Sequence, residues 1–303
     1  MLKSLQKAFK VKEVRDRLLY TFMMLVVIRI GCCLPIPGVD PSYLHDFFSN
    51  LQNSGMGFFN AITGGSFSSM SIFALSITPY ITSSIIMQLL TIAIPKLEEM
   101  QKDGEDGRKK IAEYTRYLTV GLALFESCAM AVGLGGKGLL LEDHRNIWGY
   151  LTVVAAMTAG SALLMWIGER ITDNGVGNGI SIVLLINIVS GTPQDMMTLY
   201  ERFMAGRSVA VATVSGIIVL AIIVAIVVFV LVLNDAERRI PVQYSKKMQG
   251  RRMIGGQSTY IPLKVNTANV IPVIFASSIM SMPVMIAQFF HVDYSTIGGK
   301  ILL

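Results

Sequence analysis

The side chains that most often carry catalysis or bind a metal are scattered along this sequence. Its three histidines, His45, His144 and His291, form no HExxH pair, and no GxSxG nucleophile motif is present. The three cysteines lie in apolar stretches without the spacing of a metal site or a disulfide framework. These observations predict no catalytic site, no cofactor and no bound metal.

A glycine run at residues 175–179, GVGNG, is the segment that most resembles a nucleotide-binding loop. A dinucleotide fingerprint requires the spacing GxGxxG after a strand, whereas this run has the spacing GxGxG and lies between two apolar segments. We interpret it as a flexible lead-in to a short helix, since glycine adopts backbone conformations that other residues avoid. The sequence predicts no direct nucleotide or DNA binding.

The elements that must position any functional residue are membrane-spanning helices. The chain is 52% hydrophobic and only 15% charged, whereas a soluble domain carries about 25% charged residues. A helix needs roughly 20 apolar residues to cross the hydrocarbon core. Seven segments are predicted as spans, the fifth of them short: residues 18–34, 72–94, 118–134, 147–167, 176–189, 209–233 and 270–290. The pattern predicts an all-α polytopic membrane protein.

Lysine and arginine residues are distributed unevenly between alternate predicted loops. Twenty lie on one side of the membrane and five on the other, with Arg29 inside the first span. Because positive charge accumulates in cytoplasmic loops, the N-terminus is predicted to be cytoplasmic, with residues 1–17 forming a basic amphipathic segment. The net charge of +6 is then a topology signal, since nucleic-acid binding would require basic residues clustered on one face.

Several segments are poorly suited to be simple membrane anchors. The run at residues 56–69 is apolar, rich in Gly and Ser, and too short to cross, which favours a re-entrant segment over an ordinary outer loop. Spans 72–94 and 270–290 contain many Ser, Thr and Pro residues, which suit either a cavity wall or close helix packing. Arg29 and Glu126 mark either a pathway or an intramembrane pair, and Arg29 also lies near enough to its span's end to reach the interface.

Long motifs in this chain resemble those of the SecY family, the channel subunits of the Sec protein translocon. SIFALSITPYITSSIIMQLL at residues 71–90 resembles the family's first signature, and WIGERITDNGVGNGISIV at 166–183 matches the second. Shorter matches are RIG at 29–31, PIPG at 35–38, QGRR at 249–252, QSTYIPLKVN at 257–266 and VIPVIFASS at 270–278. The resemblance covers essentially the whole chain.

This resemblance implies two halves of five helices, related by an inverted repeat, around an hourglass pore. Residues 18–190 match the complete first half, and residues 209–303 match the start of the second half with two helices. An aliphatic ring at the waist is implied at Ile77, Ile81, Ile180, Leu184 and Ile274. A plug at about residues 56–70 is implied to include Phe58, Phe59, Asn60, Ile62, Gly64, Gly65 and Phe67. A lateral gate is implied at Thr78, Thr82, Ser83, Gln88, Asn269, Ser277 and Ser278.

The resemblance also implies which partners the chain binds. The family moves unfolded precursor polypeptides with signal sequences across the membrane and releases membrane segments sideways into lipid. Its partners are the subunits SecE and SecG, and on the cytoplasmic face the ATPase SecA or a ribosome. Docking is implied on the basic loop at about residues 234–264, through Arg238, Arg239, Lys246, Lys247, Arg251 and Arg252.

The chain departs from the family pattern in three respects. Ser76 stands where the signature has Gly, Leu184 stands where the ring commonly has Ile, and the sequence stops after the seventh span of an expected ten. A secondary transporter is the alternative hypothesis, because broken helices and inverted repeats also suit that class. A membrane enzyme is a third hypothesis, and the missing acid, base and metal set weighs against it.

Overall fold

The computed structural model describes residues 11–40, 63–135, 140–141, 145–243, 247–249, 252–254 and 258–267, together with positions 272 and 276. Contacts divide the chain into two compact units: residues 1–193 with 274–303, and residues 194–273. The helices are α1 Lys12–Cys33, α2 Thr78–Ala93, α3 Pro95–Lys102, α4 Glu105–Leu134, α5 Ile147–Asn174, α6 Gly179–Phe203 and α7 Val209–Asp235. The strands are β1 Glu237–Gln243, β2 Lys247–Gln249, β3 Arg252–Ile254 and β4 Ser258–Lys264.

The helical membrane architecture expected from the sequence is confirmed. Among the described residues, α5, α6 and most of α7 are long and apolar enough to span a membrane, and the bent pair α2 and α3 adds a fourth span if it counts as one. Helices α1 and α4 overlap the predicted spans at residues 18–34 and 118–134. Helix α6 runs through Pro193 to Phe203, so the fifth predicted span, at 176–189, was too short.

The predicted helix at residues 72–94 is wrong over its first six residues. Residues 63–77 form a series of tight turns, and helix begins only at Thr78. Ser76 has φ of +53°, which lies outside the right-handed helical region, so a regular helix cannot include this residue. Pro79 follows in the first turn of α2, where its missing N–H costs no helical hydrogen bond.

Helix α2 ends where the chain turns sharply towards α3. The bend between the two helices is 102°. Ile94, which precedes Pro95, has extended φ and ψ of −110° and 112°, as expected for a residue that the proline ring excludes from helical geometry. Pro95 then occupies the first turn of α3.

The turn segment at residues 63–77 lies in the core of the first unit. Its backbone is hydrogen-bonded to the residues after α1, with Ile36 N–H donating to Met70 O at 3.0 Å and Ile72 N–H donating to Leu34 O at 3.0 Å. Helix α5 approaches it so closely that a β-carbon on Gly160 would collide with the Ile72 carbonyl oxygen. The segment is therefore fixed between the end of α1 and one face of α5.

The second unit contains an element that the sequence analysis did not anticipate. The basic segment expected as a loop at residues 234–264 instead contains two antiparallel two-stranded sheets, β1 with β4 and β2 with β3, and we call residues 237–264 the hairpin. The register places Ile240 opposite Ile261 and Arg238 opposite Leu263. The hairpin begins one residue after the C-cap of α7, at Glu237.

Candidate functional site

The four described residues of the predicted ring lie in one apolar cluster. Ile77 is fully buried, and Ile81, Ile180 and Leu184 pack as partly buried residues against the same core. The other buried members are Ile28, Cys32, Phe73, Leu164, Ile167, Ile171 and Val183. The fifth predicted ring residue, Ile274, lies outside the described residues.

Two of the ring residues, Ile77 and Ile180, face the same glycine of α5. Ile77 Cδ1 and Ile180 Cγ1 each lie 3.5 Å from where a β-carbon on Gly168 would stand. A β-carbon on Gly179, in contrast, would collide with the Gly168 carbonyl oxygen. Glycine at position 179 therefore lets the start of α6 approach the backbone of α5 closely, and it brings Ile180 to the same Gly168 that Ile77 faces.

The glycine run at residues 175–179 is tied down by hydrogen bonds, so it is less flexible than we predicted. Thr21 Oγ1 of α1 accepts from Val176 N–H at 3.1 Å, and Thr172 Oγ1 accepts from Gly179 N–H at 2.9 Å. Asn178 Oδ1 accepts from Ile180 N–H at 3.0 Å, which satisfies a free donor at the start of α6. The start of α6, which carries Ile180, is thus fixed to α1 and α5.

The described part of the predicted plug is mixed in burial: Phe67 lies in the core, Gly64 and Gly65 are half-buried, and Ser69 is exposed. Phe67 is 1% exposed, and Gly64 and Gly65 adopt φ of +66° and +79°. The turns are closed locally, with Ser68 Oγ donating to Gly65 O at 2.9 Å. The remaining predicted plug residues, Phe58, Phe59, Asn60 and Ile62, lie outside the described residues.

The predicted gate residues of α2 divide into a buried group and one exposed residue. Thr78, Thr82 and Ser83 are buried, and Gln88 is exposed. Ser83 Oγ donates to Pro79 O at 2.7 Å, so this hydroxyl is satisfied within its own helix. The gate residues expected from the seventh span, Asn269, Ser277 and Ser278, lie outside the described residues.

Arg29 and Glu126 do not form a pair in the structure. Arg29 Nη1 donates to Ser190 Oγ at 2.8 Å, which makes a hydroxyl of α6 its partner. Glu126 of α4 is buried, and among the described residues no partner is found for its Oε2. The two charges therefore have separate environments in the first unit.

A polar chain near Arg29 was not anticipated from the sequence. Ser190 Oγ donates to Asn187 O at 2.6 Å, and Asn187 Nδ2 donates to Ser76 Oγ at 3.0 Å. Asn187 and Ser76 are each 1% exposed. A polar residue at position 187 within an apolar span was the available signal, but its partner lies 111 residues away along the chain.

We expect Asn187→Ala to lower the free energy of unfolding by about 1–3 kcal/mol, because the buried Ser76 hydroxyl loses the amide that donates to it. The Ser76→Gly background is the matched control, since it removes the hydroxyl and suits the positive φ at this position. Thermal unfolding of the four variants in detergent forms a double-mutant cycle. An equal cost of Asn187→Ala in both backgrounds would contradict the pairing.

The predicted docking residues lie on the hairpin where they are described. Arg238 and Arg239 are exposed on β1, and the Arg239 guanidinium lies over the Tyr260 ring of β4, 4.6 Å from its centroid. Lys247 belongs to β2, and Arg252 belongs to β3 opposite Gln249. Lys246 and Arg251 lie outside the described residues.

A model of the SecY family matches residues 71–302. Curated relatives named protein translocase subunit SecY include that of Streptomyces scabiei, 46% identical over 301 residues, with 95% of this chain and 68% of the relative covered. The Pseudomonas aeruginosa protein of the same name is 42% identical over 278 residues, with 92% of this chain and 62% of the relative covered.

Solved channels share the fold of this chain. One, described as the structure of a protein conducting channel, aligns with a TM-score of 0.54 at 19% identity and covers 91% of this chain and 59% of that one. Another, Sec61 in a canine ribosome–channel complex, aligns with a TM-score of 0.53 at 20% identity, with 91% and 59% covered. The chain thus spans about two thirds or less of the length of the proteins it matches.

These findings remove the membrane-enzyme hypothesis, because the curated relatives are translocase subunits. The apolar helices and the bacterial relatives make this a multi-pass protein of the cell membrane. The family model covers well over half of the chain, and the relatives exceed 40% identity across nearly all of it. The chain belongs to the SecY family.

Proposed function

We propose that this chain is the central part of a protein-conducting channel, which moves secretory polypeptides across the cytoplasmic membrane and releases membrane segments sideways into lipid. The observation that carries the proposal is the apolar cluster that contains Ile77, Ile81, Ile180 and Leu184, with Ile77 and Ile180 both facing Gly168. These residues come from two segments about 100 positions apart, and they supply aliphatic surface without a polar group.

An aliphatic constriction suits a polypeptide conduit for a physical reason. A translocating chain presents side chains of every size and charge, so specific polar contacts would retain some of them. Aliphatic side chains make contact without that selectivity, and a narrow apolar passage excludes water and ions when it is empty. In this proposal Ile274 completes the ring, and residues 56–70 form a plug above it.

The membrane orientation and the gate form a second part of the proposal. The N-terminus and the hairpin at residues 237–264 lie in the cytoplasm, as the distribution of Lys and Arg favours. The lateral gate runs along α2, where Thr78, Thr82 and Ser83 are buried, and meets the seventh span at Asn269, Ser277 and Ser278. Separation of these two helices would expose the translocating chain to membrane lipids.

The partners complete the proposed function. SecE and SecG associate with the chain within the membrane, and SecA or a ribosome docks on the hairpin. The exposed Arg238 and Arg239 support docking there, since clustered positive charge attracts acidic protein or RNA surfaces. A secondary transporter, in contrast, is expected to carry charged or ion-coordinating groups near the bilayer midplane, and the four described ring side chains carry none.

Photo-crosslinking at the ring tests this function. A photoreactive side chain at Ile81 is expected to react with a secretory precursor arrested in transit, and only when the precursor carries its signal sequence. The control position is Val224, which is 53% exposed on the apolar surface of α7 and should react with lipid. Precursor adducts at Val224 but none at Ile81 would contradict the conduit, and saturable uptake of a small solute would favour a transporter.

Docking on the hairpin is tested by charge reversal. We expect Arg238→Glu with Arg239→Glu to lower the association rate of SecA with membranes containing the protein by about tenfold at low salt, because exposed charges act mainly on encounter. The effect should shrink as salt screens the charges. Arg207→Glu is the control, since Arg207 is also exposed but is predicted to lie on the outer side; an equal effect there would contradict specific docking.

A further inference from the structure

One glycine of the turn segment lies directly against α6. A β-carbon on Gly64 would stand 2.6 Å from the Asn187 carbonyl oxygen and 2.9 Å from Ser190 Oγ. Gly65, the next residue, has a similar positive φ, but no atom of the described residues lies within 4 Å of its β-carbon position. The close contact is therefore specific to Gly64, and it requires the absence of a side chain.

The part of α6 that faces Gly64 is held by a series of hydrogen bonds that begins at Arg29. The guanidinium donates to Ser190 Oγ, which donates in turn to the Asn187 carbonyl. The Asn187 amide donates to Ser76, at the other end of the turn segment. Gly64 and Ser76 thus both contact Asn187. Arg29 of α1 holds the hydroxyl of Ser190, which lies beside Asn187.

We propose that Arg29, Asn187 and Ser190 form a latch that holds residues 63–70, the described part of the predicted plug, in place through the close contact with Gly64. This inference rests on the proposed channel function. In the closed state Gly64 contacts Asn187 and Ser190; displacement of the segment would remove this contact and expose the polar groups beneath it. The latch gives the plug a preferred position with a defined free-energy difference from the displaced state.

The latch explains why a charged side chain is kept within the first membrane span. An ionisable group there is costly unless it faces a protein interior or a cavity and finds partners. Arg29 is partly buried and bonded to a hydroxyl of α6. A methionine would supply comparable apolar packing but no donor, whereas a lysine would keep a charged donor.

Substitutions at two neighbouring glycines test the close contact between Gly64 and α6. Gly64→Ala and Gly65→Ala impose similar strain at positive φ, but only the first places a methyl group against α6. In planar bilayers containing the whole protein with its co-purifying subunits, we expect Gly64→Ala to raise the idle ion conductance on the order of tenfold or more. Gly65→Ala should remain near the wild-type value. Equal conductance of the two variants would overturn the latch.

Variants of Arg29 test the hydrogen bond without altering the plug itself. We expect Arg29→Met to raise the idle open fraction by up to about tenfold, because Ser190 Oγ is then no longer fixed beside Gly64, and Arg29→Lys to restore most of the closure. Ser190→Ala should add little to Arg29→Met, since both remove the same bond. Wild-type conductance in Arg29→Met, or full additivity with Ser190→Ala, would contradict the latch.

Failure of the latch can be separated from failure of the proposed function. Wild-type protein should open when a precursor with a signal sequence is added. If it opens and the Gly64 and Arg29 variants stay as closed as wild type when idle, the latch is wrong and the channel stands. If no precursor opens the wild-type protein, the channel function itself is wrong.

Discussion

Replacing Gly160 with valine is expected to leave little folded protein in the membrane. A β-carbon at this position would collide with the Ile72 carbonyl oxygen and stand 2.9 Å from Ile72 Cγ2. The backbone at Ile72 has little freedom to withdraw, because its N–H donates to Leu34 O at 3.0 Å and the adjacent Ser71 forms a β-bridge with Pro35.

The expected magnitude is large on the scale of protein stability. Overpacking a well-packed core typically costs about 1–3 kcal/mol and occasionally more, and here the collision is with backbone. A typical domain is stable by about 5–15 kcal/mol in total. The measurement is the amount of protein in the membrane fraction, together with its thermal unfolding temperature in detergent.

Gly121→Val is the matched control for this prediction. Gly121 also lies inside a membrane helix, α4, and within the part of the chain that the structure describes no atom lies within 4 Å of its β-carbon position. Both substitutions place a β-branched residue in a helix, so their intrinsic helical preferences are the same. If Gly160→Val were as abundant and as stable as Gly121→Val, the close approach of α5 to residue 72 would be incorrect.

Replacing Ile180 with asparagine is expected to make the idle channel leak ions. Ile180 lies at the start of α6, with its side chain 3.5 Å from the β-carbon position of Gly168 and in the same cluster as Ile77. A polar amide in an apolar constriction favours water there, and a wetted constriction no longer excludes ions. We expect the idle conductance in planar bilayers to rise by at least about tenfold, and precursors with defective signal sequences to be exported.

Ile180→Leu is the control, since it preserves apolar character and volume and should retain the seal. Ile180 suits this experiment better than Ile77, which is fully buried and whose substitution would also lower stability. An idle Ile180→Asn protein as tight as Ile180→Leu would mean that this cluster packs the helices without sealing a pore. Export of signal-defective precursors by both variants would have the same implication.

Much of the helical architecture was predictable because lipid imposes a simple rule. Every backbone polar group must be satisfied within the membrane, so an apolar run of sufficient length becomes a helix. Helices α5 and α7 accordingly overlap the predicted spans at 147–167 and 209–233. The prediction failed at residues 72–77, which are apolar but form turns: Ile72 is bonded to Leu34, and local hydrogen bonds such as Ser76 N–H to Phe73 O close the turns that follow.

The hairpin shows a different kind of failure. Residues 237–243 and 258–264 alternate polar and apolar side chains in part, which is a strand signal, but prolines at 241 and 262 interrupt both runs. Those prolines are tolerated because each strand of the pair has an unpaired edge. The pairing was not predicted, because it joins residues about 20 positions apart whose partners are set by the folded chain.

The candidate site also has a part that was predictable from the sequence and a part that was not. The sequence by itself determined the apolar spans, the family motifs and the aliphatic character of positions 77, 81, 180 and 184, because these depend on residue type and local order alone. Only the tertiary structure decided that Gly64 rests on Asn187 and that Arg29 bonds to Ser190 rather than to Glu126. Such partners lie more than 100 residues apart, and a hydrogen bond or a close contact forms only where packing brings the two atoms within a few ångströms.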